Sequence, residues 1–343
     1  MAFVLGFVND LIFLNKIDSK IDNLILLSYV VLASVSILLF YAGVAEKMFS
    51  GLNNFCKKWM PLLMQFAFGG LLSGMLIFYG RSGDLFVSAP FLALIAVLMI
   101  LNEIVAKQSS RLVYSLSVYF VGLFSYCVLV VPVFIADMGD IIFIGSGLLA
   151  LFIFYLVFRL LRKIIPKFLS LNKRSLVFVI GVIYVAFNGL YFSNLIPPIP
   201  LSLTELGIYQ SVEKTSNGNY RIVRENKEWW EKLIPKEQVF SPLPGDGVYC
   251  FARVYAPTKL TTDISHRWEY LDKSGSWVQH GLPITYRITG ENKNGYRGYT
   301  TISNFTNGQW RCTVENKRGQ VLGRKVFVID STKTPANLVT IVE

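Results

Sequence analysis

The chain has 343 residues, of which 53% are hydrophobic, 14% aromatic and 16% charged, a balance too apolar for one soluble domain and suited to a membrane part joined to a polar part. Its net charge of +11 does not mark a nucleic-acid surface, because the excess divides into +6 before residue 197 and +5 after it. In the first part it is a topology signal instead.

Residues 1–15 are apolar but too short to span a bilayer, lack a basic leader and are interrupted by Asp10. They read as an interfacial helix rather than a cleaved signal peptide. Six uncharged apolar runs follow, with cores at 23–43, 61–80, 85–102, 112–135, 141–158 and 176–196. A hydrocarbon core about 30 Å thick needs roughly 20 apolar residues per helix, so 1–196 is predicted as a six-helix transmembrane domain. Within the runs the polar groups are amides and hydroxyls, among them Gln65, Ser73, Ser115, Ser117, Ser125 and Asn188, suited to bonds between helices. Gly69, Gly70 and Gly74 offer a small-residue packing face. Glu46, Arg81, Glu103, Asp137 and Arg159 are placed at helix ends, which leaves the bundle without an interior charge of the kind coupled transporters keep.

The connections after the first, third and fifth helices hold Lys47, Lys57, Lys58, Lys107, Arg111, Arg159, Arg162, Lys163, Lys167, Lys173 and Arg174. The opposite side holds Lys16, Lys20 and Arg81. The positive-inside bias then puts both termini and the polar tail outside the cytoplasm.

The proline-stiffened exit Asn194-Leu-Ile-Pro-Pro-Ile-Pro200 ends the last helix. Residues 197–246 are predicted as a connector with a hairpin over 207–223 turning at Asn217-Gly218 and a short helix over 225–232 carrying Trp229 and Trp230. From 247 to 330 apolar residues alternate in short runs separated by turn signals such as Asn294-Gly295, Asn307-Gly308 and Lys317-Arg-Gly319. Six or seven such strands predict an all-β antiparallel sandwich of immunoglobulin-like architecture, with 331–343 as a tail. Alternation lets Cys250 and Cys312 both point inward, with Trp268 between them in sequence. In an oxidising compartment they are a candidate disulfide; two free core thiols are the other reading.

Two histidines, His266 and His280, are too few for a metal or acid-base cluster, and no His-Glu-x-x-His, Cys-x-x-Cys, phosphate loop or serine elbow occurs. No catalytic residue, cofactor or metal site is therefore expected. His266 reads as a core imidazole bonded to backbone carbonyls. Arg267, Arg297 and Arg311, beside Tyr296, Tyr299 and tryptophans, are a candidate binding surface for sugar faces or anionic polymers.

The set Val248-Tyr-Cys-Phe-Ala-Arg-Val254, Ile264-Ser-His-Arg-Trp268, Gly295-Tyr-Arg-Gly298, Gly308-Gln-Trp-Arg311 and Gly319-Gln-Val-Leu-Gly323 resembles the bacterial family known as domain of unknown function 2914, in its multi-pass membrane members. The resemblance implies a cell-envelope protein of the inner membrane in a Gram-negative organism and transfers no catalytic residue. It departs at Cys312, where the family strand carries an aliphatic residue. The leading expectation is an inner-membrane anchor displaying a periplasmic interaction module that recognises an envelope polymer or protein partner. The alternative is a channel or lipid-handling membrane protein with a regulatory β-domain cap.

Overall fold

The computed structural model describes residues 10–11, 14, 19–104, 112–225, 238–243, 245–257, 260–289, 295–335 and 337–343. The chain divides into a helical unit, Met1–Arg81 with Leu85–Pro200, and a β unit, Leu201–Glu343 with Ser82–Asp84.

Among the described residues, six long helices build the first unit: α1 (Lys20–Val44), α2 (Ser50–Ser82), α3 (Leu85–Ile104), α4 (Leu112–Ile135), α5 (Asp140–Ile164) and α6 (Pro166–Phe192). All six are long and apolar enough to cross a membrane. Local chemistry sets their ends. Ser19 caps α1 by accepting the Asp22 N–H, and Pro166 opens α6 where its missing N–H costs nothing. Just past α1, α4 and α6, the left-handed residues Glu46, Ala136 and Asn194 turn the chain away from the helix path. The helices run further than their apolar cores: Lys57 and Lys58 lie inside α2, and Arg159, Arg162, Lys163, Lys167, Lys173 and Arg174 lie inside α5 and α6. Long basic side chains continue a helix readily, so an apolar run marks where a helix is greasy, not where it stops.

Helix α4 is the most enclosed, with Leu116, Tyr119, Phe120, Leu123, Phe124 and Leu129 inaccessible. Phe124 stacks on Tyr184 and Phe187 of α6, at 5.6 and 4.7 Å between ring centroids. Gly70 and Gly74 of α2 meet α1 directly, since a methyl group on them would strike the Tyr29 ring and Leu26. Gly69 faces open space and plays no part in this contact. Polar groups also tie helices together. Gln65 and Asn102 each donate to the other's backbone carbonyl (3.3 and 3.2 Å), and Ser34 shares a 2.8 Å bond with Tyr119. Ser117 and Asn188 instead bond back to carbonyls of their own helices.

The interior is not free of charged groups. Asp10, expected in an interfacial helix, is buried, accepting from Ser73 of α2 and from the Tyr29 hydroxyl at 3.4 Å. Arg81, by contrast, is exposed in the last turn of α2, as its helix-end placement predicts, and its guanidinium donates to the Leu14 carbonyl at 2.6 Å. A segment too short to span can still bring one residue into the bundle, and a carboxylate there needs the hydroxyl donors it has found. The rest of 1–15 lies outside the described residues.

Among the described residues, twelve strands build the β unit, in three sheets. The first is β1 (Ser202–Tyr209), β5 (Val248–Tyr255) and β9 (Tyr296–Ile302), in order β1-β5-β9. The second joins β4 (Gln238–Phe240), β11 (Val321–Ile329), β10 (Gly308–Asn316), β6 (Thr261–Leu271) and β7 (Trp277–Gln279), with β8 (Ile284–Thr289) also on β6. The third is β12 (Leu338–Val342), β3 (Tyr220–Glu225) and β2 (Ser211–Lys214). The pleat gives β5 two buried faces. Val248 and Cys250 face the second sheet, packing with Trp268, Trp310, Cys312 and Phe327. Phe251 faces the third sheet, packing with Tyr209, Val212, Tyr220 and Ile222.

Several boundaries therefore differ from expectation. The 197–246 stretch is more than a connector, since β1 pairs with β5 from Tyr249 to Tyr255. The 331–343 stretch is not a free tail, since β12 closes a sheet on β3. Nor is the unit a two-sheet antiparallel sandwich: a third sheet covers β5, and β4 runs parallel to β11. The hairpin expected over 207–223 is present in shortened form as β2 and β3, turning at Gly218 with φ of 79°. The short helix expected over 225–232, with Trp229 and Trp230, lies outside the described residues.

Candidate functional site

The arginines and tyrosines expected to form one binding surface are separated. Arg267 and Arg311 stand on β6 and β10 of the second sheet, whereas Tyr296, Arg297 and Tyr299 stand on β9 of the first. Arg311 is committed to Glu269, with Nε 2.6 Å from Oε2 and Nη2 2.8 Å from Oε1, and its guanidinium lies 4.4 Å from the Trp277 ring. Arg267 bridges Glu269 and Glu315 at 3.7 and 2.9 Å. Arg297 lies over the Tyr220 ring at 5.4 Å, and Tyr296 stacks on Tyr286. These are structural partners. The signal was available in the pleat, because Arg267 with Glu269, and Arg311 with Glu315, recur at even spacing on one face of paired strands.

Cys250 and Cys312 form a disulfide between the first and second sheets. His266 lies beside it, and one of its ring nitrogens and the two sulfurs fall within 4.8 Å of one another. A metal needs thiolates, which a closed disulfide does not supply. The imidazole is fully buried but bonds to side chains, not carbonyls: Nδ1 to the Thr300 hydroxyl and Nε2 to the Tyr286 hydroxyl, both at 3.0 Å. Thr300 also accepts from the Trp268 indole at 3.1 Å. Gly298 makes room for this arrangement, since a methyl group there would strike the Tyr286 ring. Burial pushes the His266 pKa down to about 3, so the ring stays neutral in the fold.

The unfolded chain protonates His266 near 6.5 and the folded chain near 3, so this contribution is complete above 6.5 and is lost as pH falls toward 3. By pH 4.5 the loss amounts to a few kcal/mol, on the order of 1.4 kcal/mol per unit of difference between pH and the unfolded value. Glu205 and Glu315, lifted above the usual carboxylate range mainly by burial, act in the opposite sense. The measurement is therefore wild type against His266→Gln by denaturant unfolding between pH 7 and 4.5. An equal slope in both chains contradicts the assignment.

A cleft of about 280 Å³ opens elsewhere in the β unit. Gln210, directly after β1, lines it with Arg224 of β3, Gln238 of β4 and Lys325 of β11. Tyr209 and Glu225 also reach it. The Gln210 side chain is 1% exposed; its Nε2 donates to the Ser241 carbonyl at 2.8 Å, and its Oε1 has no partner among the described residues. A buried acceptor left unmade costs about 1–3 kcal/mol, so the wall of the cleft holds an acceptor in need of a donor. Arg224 and Lys325 beside it, with the Glu225 carboxylate in the same lining, make a mixed-charge cleft whose chemistry suits a small ligand bearing an anionic group and a hydroxyl or amide N–H. No motif could have pointed to these residues, which come from four separate stretches.

An apolar six-helix unit joined to a three-sheet β unit defines the chain's architecture. Within it, residues 261–329, from β6 to β11, match the family described as "Protein of unknown function (DUF2914)". No curated protein matches. Among solved structures, the chain has 12% identity and a TM-score of 0.23 to Pseudomonas fluorescens alkylpurine DNA glycosylase AlkC bound to DNA containing an abasic site analog, over 87% of this chain and 78% of that one. A score that low conveys no shared fold.

Proposed function

We propose that this chain is a multi-pass protein of the bacterial inner membrane whose β unit is a non-catalytic binding module in the periplasm, taking an acidic saccharide of the cell envelope. The observation that carries the binding assignment is the cleft with its orphaned Gln210 acceptor flanked by Arg224 and Lys325. Its 280 Å³ suits one or two sugar rings, whose hydroxyls answer Gln210 and whose carboxylate or phosphate answers the cations.

Membrane residence is supported by the outward faces of the helices, where Ile141 is 85% exposed, Leu171 82% and Phe178 71%. Periplasmic placement is supported by the basic bias of alternate connections and by the Cys250–Cys312 bridge, which persists in an oxidising compartment. The DUF2914 match is in keeping with an envelope protein but names no ligand.

The test has two parts. Protease added to intact spheroplasts is expected to remove the β unit; digestion only after lysis contradicts the topology. The detergent-solubilised full chain is expected to retain carboxylated or phosphorylated envelope oligosaccharides, with Arg224→Glu or Lys325→Glu weakening retention roughly tenfold or more. Arg297→Glu, on β9 away from the cleft, is expected to leave it unchanged. Equal retention by wild type and both cleft variants overturns the site.

A further inference from the structure

A second cavity lies in the helical unit, a trough of about 380 Å³ between α5 and α6. Its walls are almost wholly apolar, with Phe154 and Phe158 from α5 opposite Leu176 and Ile180 from α6, and the one charged lining residue is Lys173. Lys173 stands toward the end of the trough where the chain turns between α5 and α6, at Ile165. The same two helix ends carry Arg159, Arg162, Lys163, Lys167 and Arg174, all exposed.

We propose that this trough seats an acyl chain of one anionic phospholipid, with the lipid phosphate at Lys173. The inference rests on the membrane reading above and is independent of the saccharide cleft. Length supports it: from Lys173 to Tyr184, both lining residues, α6 rises about 16 Å at 1.5 Å per residue. Half of a hydrocarbon core about 30 Å thick is roughly 15 Å, so the trough is as long as one leaflet. Charge supports it as well. A zwitterionic lipid would satisfy the walls but bring its own headgroup cation beside the ammonium, and an apolar helix from a second copy would bury it. A phosphate on a chain that fills the trough answers both, and the neighbouring cations raise the local concentration of anionic headgroups.

Gly181 supplies the discriminating variant. Gly181 lines the trough and a methyl group built on it meets nothing within 4 Å, so Gly181→Leu adds apolar bulk at the trough wall. The experiment reconstitutes the full chain in nanodiscs of phosphatidylcholine mixed with phosphatidylglycerol. It then extracts the chain in mild detergent and counts retained lipid by mass spectrometry. Wild type is expected to keep phosphatidylglycerol in preference to phosphatidylcholine. Lys173→Glu is expected to reduce that retention roughly tenfold or more, and Gly181→Leu to reduce it without any change of charge. Arg162→Glu, outside the trough, is expected to have the smaller effect. The proposal is overturned if Gly181→Leu retains as much as wild type, if Arg162→Glu matches Lys173→Glu, or if the two lipids are kept equally. Alkaline extraction of native membranes separates the two levels of failure. A chain released by alkali sinks the membrane reading and this site together, whereas a chain that stays inserted yet shows any of those three results sinks the lipid site alone.

Discussion

Replacing Cys250 and Cys312 together by alanine is expected to cost the β unit about 4 kcal/mol. The two residues are 62 apart in sequence, and a cross-link closing a loop of that length removes roughly this much free energy from the unfolded ensemble in the chain-entropy model. The bridge also joins two different sheets, so the open chain must find the β5 to β10 alignment without a tether. Both sulfurs sit in the same buried cluster as Trp268, Trp310 and Phe327, and tryptophan fluorescence during denaturant unfolding reports on that core. Reductant acting on wild type is expected to reproduce most of the loss. The oxidation state in cells is readable independently, because the other two cysteines, Cys56 and Cys127, are free thiols. After denaturation without reductant an alkylating reagent is expected to add two adducts per chain, and after reduction four. Four adducts from freshly quenched cells would mean a reduced pair, and the periplasmic placement would lose its chemical support.

How much of this could be read from the sequence depends on whether the signal is local. The six helices were legible because each carries an uncharged run of bilayer length, a property of consecutive residues. Strands β5, β6, β9, β10 and β11 were legible for the same reason, since alternation is written residue by residue. Strand β12 was not. Leu338–Val342 is apolar and branched enough for a strand, but its partner β3 lies more than a hundred residues earlier, and nothing in either segment encodes the other. Strand β1 was hidden behind the proline exit, and its pairing to β5 skips three intervening strands. The cleft was invisible on the same principle, because Gln210, Arg224, Gln238 and Lys325 converge only through sheet order. The arginine surface failed for a different reason. Residue type was read without its cross-strand partner, and Glu269 answers both Arg267 and Arg311.

That carboxylate defines the second large effect: Glu269→Ala is expected to destabilise the β unit by about 3 kcal/mol. The Glu269 side chain is only 5% exposed and accepts from both nitrogens of the Arg311 fork and from the Thr313 hydroxyl at 3.2 Å. Burial alone would raise its pKa. The hydrogen bonds from Arg311 and Thr313 and the charges of Arg267 and Arg311 outweigh burial and hold the carboxyl below the usual range. The sign follows: the contribution is complete above the unfolded value near 4.5 and is lost as pH falls through the lower folded value. Removing the acid leaves two half-buried guanidiniums close together without their shared partner, and one-sided removal of this kind costs several kcal/mol. Partial exposure of the arginines, 17% and 27%, keeps the figure at the lower end. The discriminating comparison is the double variant Glu269→Leu with Arg311→Leu. An apolar pair leaves less charge uncompensated, so the double variant is expected to be more stable than Glu269→Ala, with a coupling of about 2 kcal/mol in the full cycle. Additive losses would mean that the two side chains contribute separately, and that the network on the outer face of β6 and β10 is surface decoration after all.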